Sequence, residues 1–529
     1  MRPLIATAAA LLLAASLQAQ ATPPALEIAY RVSVAEPAMH LYDISIDIAR
    51  LSGGSVELQM PVWSPGRYAR ADFARNVQEV SFTDSKGDTL AAEKLNGSLW
   101  RVTLGKARAA RVHYRVFANA PMSGTFSVLD TNHANWNGPS LFMYVVGHKQ
   151  DAVTLHVEAP PAALLMNGDA NATSQRDFRF ENYDRLVDTP TEVASNLLLD
   201  SMRVDGRTYR VMVHHNGPVP EGGFAKFVRD VGKLVKYENS VFDAPPLTRY
   251  TFLVHLGFPG GDGMEHLFST QVQTSQKWAD TNGVMPATDI VAHEYFHVWN
   301  VKRVRPSVLG PFDYTVEQYQ PSLWVAEGWT QYYGTVAMHR AGITDEAEML
   351  ASTAGIVRAN LTAPGRKQAS ARMASFHAPF WDGAAQAQPT NRGNVWISYY
   401  TKGAGLAMYL DLIVRAKSND TKSLDDVFRA LRKRSWEQRN ASYYLQGRGY
   451  TERDVELAVQ DVTGEDMHAW FDTHVGGTVD PDFDAALAGA GLRLVRGDQR
   501  WSIEPVPEAT EAQRRVRTGW LSGSHSPRG

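Results

Sequence analysis

The sequence predicts a multidomain protein. An N-terminal all-β, sandwich-like domain over 22–205 is followed by an α+β, mostly helical domain over 206–480. Three observations predict this. The chain has 529 residues, enough for two to four domains. Its 44% hydrophobic and 21% charged composition is that of soluble globular protein. Near residue 205 the apolar pattern changes from a period of two to helical spacing.

The first part alternates apolar and polar residues at 26–34, 41–48, 55–60, 77–82, 99–104, 110–117 and 152–158. Ser52-Gly53-Gly54, Ser85-Lys86-Gly87 and Asn96-Gly97 mark turns between them. Short strands at this spacing build antiparallel sandwiches. Pro61-Val-Trp-Ser-Pro-Gly66 reads as a rigid bend leaving a strand. No residue here carries visible chemistry, so this is a support domain able to form one wall of a cleft.

In the second part, strands at 209–214 and 250–256 flank a helix at 223–239. Further helices are expected at 284–301, 322–340, 343–360, 397–416, 423–435 and 451–474. The Ala-, Gln-, Pro- and Gly-rich stretch 362–395 reads as a long surface loop. Residues 481–529 read as a weakly ordered C-terminal remnant.

Composition excludes several functions. With 53 basic and 56 acidic residues, the net charge of -3 gives no support to nucleic-acid binding. Without cysteine there are no disulfides, thiol nucleophiles or Cys-based metal sites, so any metal is held by His, Asp or Glu. Residues 1–21 carry the parts of a secretory signal in order: Arg2, an apolar run at 4–17, and Ala19-Gln20-Ala21. No later run approaches the ~20 apolar residues of a membrane helix. The expectation is an exported bacterial protein, periplasmic or secreted, with no membrane span.

The sharpest signal is His293-Glu294-Tyr295-Phe296-His297, within an apolar helical run. Positions i and i+4 lie about 40° apart around a helix, so His293 and His297 project from one face. Two imidazoles so placed can bind one Zn2+, and Glu294 can take a proton from a water held there. The string is short enough to arise by chance, so its surroundings decide. Leu323-Trp-Val-Ala-Glu-Gly-Trp-Thr-Gln-Tyr-Tyr333 is apolar and helical, yet carries Glu327 in its middle. A buried carboxylate needs compensation, here by a metal shared with the histidines or by a cation such as Lys302. Two histidines and a glutamate leave a fourth position open, the arrangement of catalytic zinc.

Two more segments fit that chemistry. Gly261-Asp-Gly-Met-Glu-His266 follows a strand. Gly263 and Met264 offer backbone along which an extended substrate can lie, and Glu265 offers a carboxylate to a free α-ammonium. Tyr399-Tyr400-Thr401-Lys402-Gly403 opens a helix, and a phenol at a zinc site's edge can stabilise an oxyanion. By itself the first segment reads equally as a solvent-facing loop acid, and the tyrosine pair reads better as packed aromatics. Lys302, Arg303 and Arg305 after the zinc helix are candidate dipole partners or binders of a substrate carboxylate.

At these residues the chain resembles the gluzincin zinc peptidases. The stretch His293-Glu-Tyr-Phe-His-Val-Trp-Asn-Val-Lys-Arg303, with Gly263-Met-Glu-His266 and Glu327-Gly-Trp-Thr330, resembles the M61 glycyl aminopeptidase family. Pro61-Val-Trp-Ser-Pro-Gly66 and Asn137-Gly-Pro139 resemble that family's N-terminal domain. The resemblance implies a thermolysin-like catalytic domain, one Zn2+ per chain, and removal of N-terminal residues, preferentially Gly and Ala. It implies metal ligands His293, His297 and Glu327, base Glu294, N-terminus anchor Glu265 and transition-state phenol Tyr400, with Tyr399 as fallback. Members usually carry a C-terminal PDZ domain. The 35 residues after Leu494 are too few for one, so that domain is expected to be absent or truncated. Two rivals stay open: a zinc endopeptidase with the same metal site, and a non-catalytic peptide-binding protein of the cell envelope.

Overall fold

The computed structural model describes residues 25–120, 124–278, 283–384, 390–438 and 447–523. The expected signal segment 1–21 lies outside the described residues. Strands Glu27–Glu36 and Leu41–Ala49 pair antiparallel at the centre of a six-stranded sheet. Their alternation buries Ile28, Tyr30 and Val32 on one strand and Ile44, Ile46 and Ile48 on the other. Two four-stranded sheets complete the N-terminal part, one around Ser55–Gln59 and Leu99–Thr103, the other around His133–Trp136 and Thr191–Ala194.

A five-stranded sheet follows, in the order Leu197–Val204, Arg207–His215, Arg249–Leu256, Ser269–Thr274, Gly261–Glu265. The expected boundary at 205/206 therefore cuts a β-hairpin, because Leu197–Val204 pairs along its length with Arg207–His215. The change of domain falls near 195, where the earlier sheet ends at Ala194. Gly261–Glu265 forms the sheet edge and packs against the helix Thr288–Phe296. Around them lie the helices Gly223–Phe242, Thr330–Arg340, Glu346–Thr362, Tyr399–Lys417, Leu424–Arg434 and Glu452–Thr463. Asp345, Ser423 and Thr451 start three of these with capping boxes.

Two expectations fail, a long surface loop at 362–395 and a weakly ordered remnant at 481–529. The stretch 362–395 contains short helices at Ala371–Phe376, Ala378–Ala384 and Arg392–Val395; its Ala371, Ala374 and Ser375 are buried. The 481–529 segment is not a loose remnant through 522. It forms the helix Phe483–Gly489, a hairpin of Leu492–Arg496 and Trp501–Pro505, and the helix Glu511–Ser522. Val516, Trp520 and Leu521 anchor that last helix, and the Trp520 indole donates to Tyr332 Oη at 2.8 Å. Three apolar anchors in a polar sequence were too sparse to read as a packed face. Among the described residues no helix is long and apolar enough to cross a membrane.

Candidate metal centre

His293 lies in the last turn of Thr288–Phe296, and His297 is the residue that ends it. Their Nε2 atoms are 3.0 Å apart. His297 is turned by its other nitrogen, whose N–H donates to the Asn300 carbonyl at 2.5 Å. That bond leaves Nε2 as the metal-binding atom. Glu327 completes the set: its Oε2 is 3.5 Å from His293 Nε2 and 3.2 Å from His297 Nε2.

Glu327 sits in one turn of π-helix, Trp324–Trp329, which leads into Thr330–Arg340. The wider turn withdraws carbonyls from the usual helical ladder. Asn300 Nδ2 compensates by donating to Val325 O at 2.9 Å and Ala326 O at 3.2 Å. One asparagine thus aligns His297 through its carbonyl and the Glu327 turn through its amide. The π turn also meets the helix Tyr399–Lys417 at two glycines: a Cβ on Gly328 would lie 2.4 Å from Gly403 Cα. This close approach carries Tyr400 to the site, its ring centroid 6.0 Å from that of His293. The Tyr399 hydroxyl is engaged elsewhere, donating to Asp382 Oδ2 at 3.0 Å.

The edge strand Gly261–Glu265 runs along the site. A Cβ on Gly263 would lie 2.1 Å from Glu294 Oε1, so the glycine makes room for the carboxylate of Glu294. The Gly263 carbonyl accepts from Arg67 Nη2 at 3.0 Å, and the same guanidinium holds Asp262 at 2.5 Å. Met264 is buried beneath Gly66 and Gly124. Glu265 is buried close to Glu294 and His297, with one ligand atom of each within 4.8 Å of the others.

The N-terminal domain therefore reaches the metal centre. Just past the Pro61–Gly66 bend, the Tyr68 hydroxyl donates to Glu327 Oε1. With that oxygen held, Oε2 is the one presented to the histidines. Arg67 and Tyr68 escaped the sequence reading because no spacing rule links them to residue 327. The bend itself was the available signal. Conversely, Lys302, Arg303 and Arg305 are engaged within the protein. All three are buried: Lys302 pairs with Asp188 at 3.0 Å, Arg303 donates to Val298 O, and Arg305 to Gly447 O.

The electrostatics fit a dication. Burial opposes charge on His297, but the carboxylates of Glu327, Glu265 and Glu294 outweigh it and push its pKa up to about 10. Burial also opposes charge on Glu327, yet the two histidines hold it well below the usual carboxylate range. Glu294 is raised by burial and further by Glu265 and Glu327, and its Oε2 has no hydrogen-bond partner. Three carboxylates converge on two imidazoles, an excess of negative charge that a bound Zn2+ neutralises. The site opens into a cleft of about 910 Å³ lined by Arg67, Gly263, His293, Glu294, Ile356 and Tyr400.

The chain matches two family models: Peptidase M61 N-terminal domain over 29–195 and M61 glycyl aminopeptidase over 287–406. No curated protein sequence matches it. Among solved structures it resembles an aminopeptidase N family protein from Idiomarina loihiensis, with TM-score 0.81 and 25% identity, over 89% of this chain and 79% of that one. It shares the fold of yeast LTA4 hydrolase, solved with bestatin, at TM-score 0.51 and 16% identity, over 88% of this chain and 70% of that one. The chain belongs to the M61 glycyl aminopeptidase family and is a metallopeptidase.

Proposed function

We propose that the protein is an exported, zinc-dependent aminopeptidase that hydrolyses the first peptide bond of peptides with a free N-terminus, preferring Gly or Ala there. The observation that carries this reading is Glu265. It is 4% exposed, lies beside Glu294 and His297, and its carboxylate makes no hydrogen bond or salt bridge among the described residues. A substrate ammonium is its natural counterion. The space at Glu265 also supports small residues: a cavity of about 20 Å³ there, lined by Gly66, Tyr68, Val301, Lys302 and Arg305, has room for about one water-sized group.

His293, His297 and Glu327 would hold one Zn2+, which when bound supplies a Lewis acid that polarises the scissile carbonyl and acidifies water. Glu294 takes the proton of the attacking water and returns it to the departing amine. Its burial beside two further carboxylates favours that proton uptake. The Tyr400 hydroxyl donates to the oxyanion, and Glu265 fixes the ammonium so that the first peptide bond lies over the base.

The test is a panel of aminoacyl chromogenic substrates, free and N-acetylated, with and without chelator. Rapid, chelator-sensitive cleavage of free Gly and Ala derivatives with rejection of the blocked forms is expected. Equal cleavage of blocked and free peptides would establish the endopeptidase instead. No chelator-sensitive cleavage of any would leave a peptide-binding protein. Export is checked by N-terminal sequencing of the protein recovered from periplasm and medium, where a mature chain starting near Thr22 is expected.

A further inference from the structure

A second histidine–glutamate cluster lies where the two domains meet. His133 on His133–Trp136 and Glu192 on Thr191–Ala194 come from neighbouring strands of the N-terminal domain. His214 and His255 face each other on the adjacent strands Arg207–His215 and Arg249–Leu256 of the catalytic domain's sheet. None of the four is more than 6% exposed. One ligand atom each of His133, Glu192 and His214 lies within 4.8 Å of the other two.

The contacts have the pattern of a coordination shell. His214 Nδ1 is 2.8 Å from Glu192 Oε1, yet neither atom forms a hydrogen bond, because the angles are wrong for one. His133 Nδ1 is paired with Asp130 Oδ1 at 3.2 Å, which leaves its Nε2 inward and without a partner. Such a carboxylate–histidine pair is how metal-binding imidazoles are usually oriented. His255 lies between two oxygens: Nδ1 is 3.2 Å from Val272 O and Nε2 is 3.3 Å from Glu192 Oε2. Either neutral tautomer leaves one nitrogen lone pair facing an oxygen, unless a cation lies between. Glu192 has no lysine or arginine partner among the described residues. The ring of Phe258 covers the cluster, with centroids 5.5 Å from His133, 4.9 Å from His214 and 6.1 Å from His255.

We propose that His133 Nε2, Glu192 Oε1 and His214 Nδ1 form a second metal site, for a divalent transition ion of zinc's class, with His255 holding the other Glu192 oxygen. Its role is structural. The three donors are buried and the Phe258 ring lies over them, so the site has no open side for a substrate. The ion fastens the N-terminal domain, which supplies Tyr68 to the catalytic centre, onto the catalytic sheet.

The experiment counts metal in the full, zinc-saturated and dialysed enzyme by mass spectrometry. Two equivalents are expected in the unmutated protein. His214→Gln should lose one, keep turnover, and melt at a lower temperature. Glu327→Gln should lose the other and turnover with it, so failure of this site is distinguishable from failure of the catalytic one. If His214→Gln does not fold, zinc-edge anomalous scattering from crystals of unmutated enzyme decides, with a peak expected among His133, Glu192 and His214. Saturation at one equivalent, all of it lost in Glu327→Gln, would overturn the proposal and leave a buried imidazolium–carboxylate pair. No anomalous peak at the cluster would overturn it equally.

Discussion

The two buried histidine–glutamate clusters are assembled in opposite ways. At the catalytic centre, two ligands come from one helix four residues apart and the third follows thirty positions later. At the domain junction, the four residues come from four strands, spread from 133 to 255. The first has a cleft of about 910 Å³ and a carboxylate, Glu265, left for a ligand. The second is sealed by Phe258. Similar donor chemistry therefore serves reaction where one side is open and cohesion where it is closed. The N-terminal domain contributes to both, giving His133 and Glu192 to the junction and the Tyr68 hydrogen bond to the centre.

The sharpest way to break the comparison is at the base. Glu294→Gln should retain zinc while turnover falls by about 10²–10⁴-fold, as metal analysis and single-substrate kinetics on the same preparation would show. Unchanged turnover in the metal-loaded variant would remove Glu294 from the reaction. A conventional ion-pair clamp across the same domain boundary offers the next contrast. Asp188 binds Lys302 Nζ and His266 Nδ1, each at 3.0 Å, and the Leu267 N–H at 2.9 Å. Burial opposes its charge, but Lys302 and His266 prevail and hold its carboxyl well below the usual range. Its stabilisation is therefore present above about pH 4 and fades as pH falls below that. Asp188→Asn should lose about 3–5 kcal/mol in urea unfolding at pH 7. That difference should shrink by pH 3; a difference independent of pH would assign the loss to packing.

Smaller effects follow. Tyr400→Phe should lower kcat by about 10²–10³-fold with little change in KM, whereas Tyr399→Phe should leave catalysis nearly intact. A dominant effect at Tyr399 would reverse the choice between the two phenols. Tyr68→Phe should weaken zinc affinity by about 10–100-fold, measured by competition with a chelator. Unaltered affinity would mean that the N-terminal domain does not tune the metal.

What the sequence disclosed follows the same division. His293, Glu294, His297 and Glu327 were legible because helix geometry converts spacing into direction. The strands of the N-terminal domain were legible because burial on one face imposes alternation. Tyr68, Arg67 and the 133/192/214/255 cluster were not. Their proximity arises from sheet pairing and domain packing, which no local period encodes. The order of 483–522 was missed for a related reason, since Trp520 and Val516 reach a core built hundreds of residues earlier. Gly263 lines the cleft as its sequence suggested, and the absence of a side chain there also makes room for Glu294, a neighbour no local period encodes.

The most direct test of the central claim is a zinc-edge crystal structure of the metal-loaded enzyme. An ion is predicted in contact with Nε2 of His293, Nε2 of His297 and Oε2 of Glu327, at about 2.0–2.2 Å from each. A loaded, active enzyme whose catalytic ion lies elsewhere, or whose ligands omit Glu327, would contradict the account.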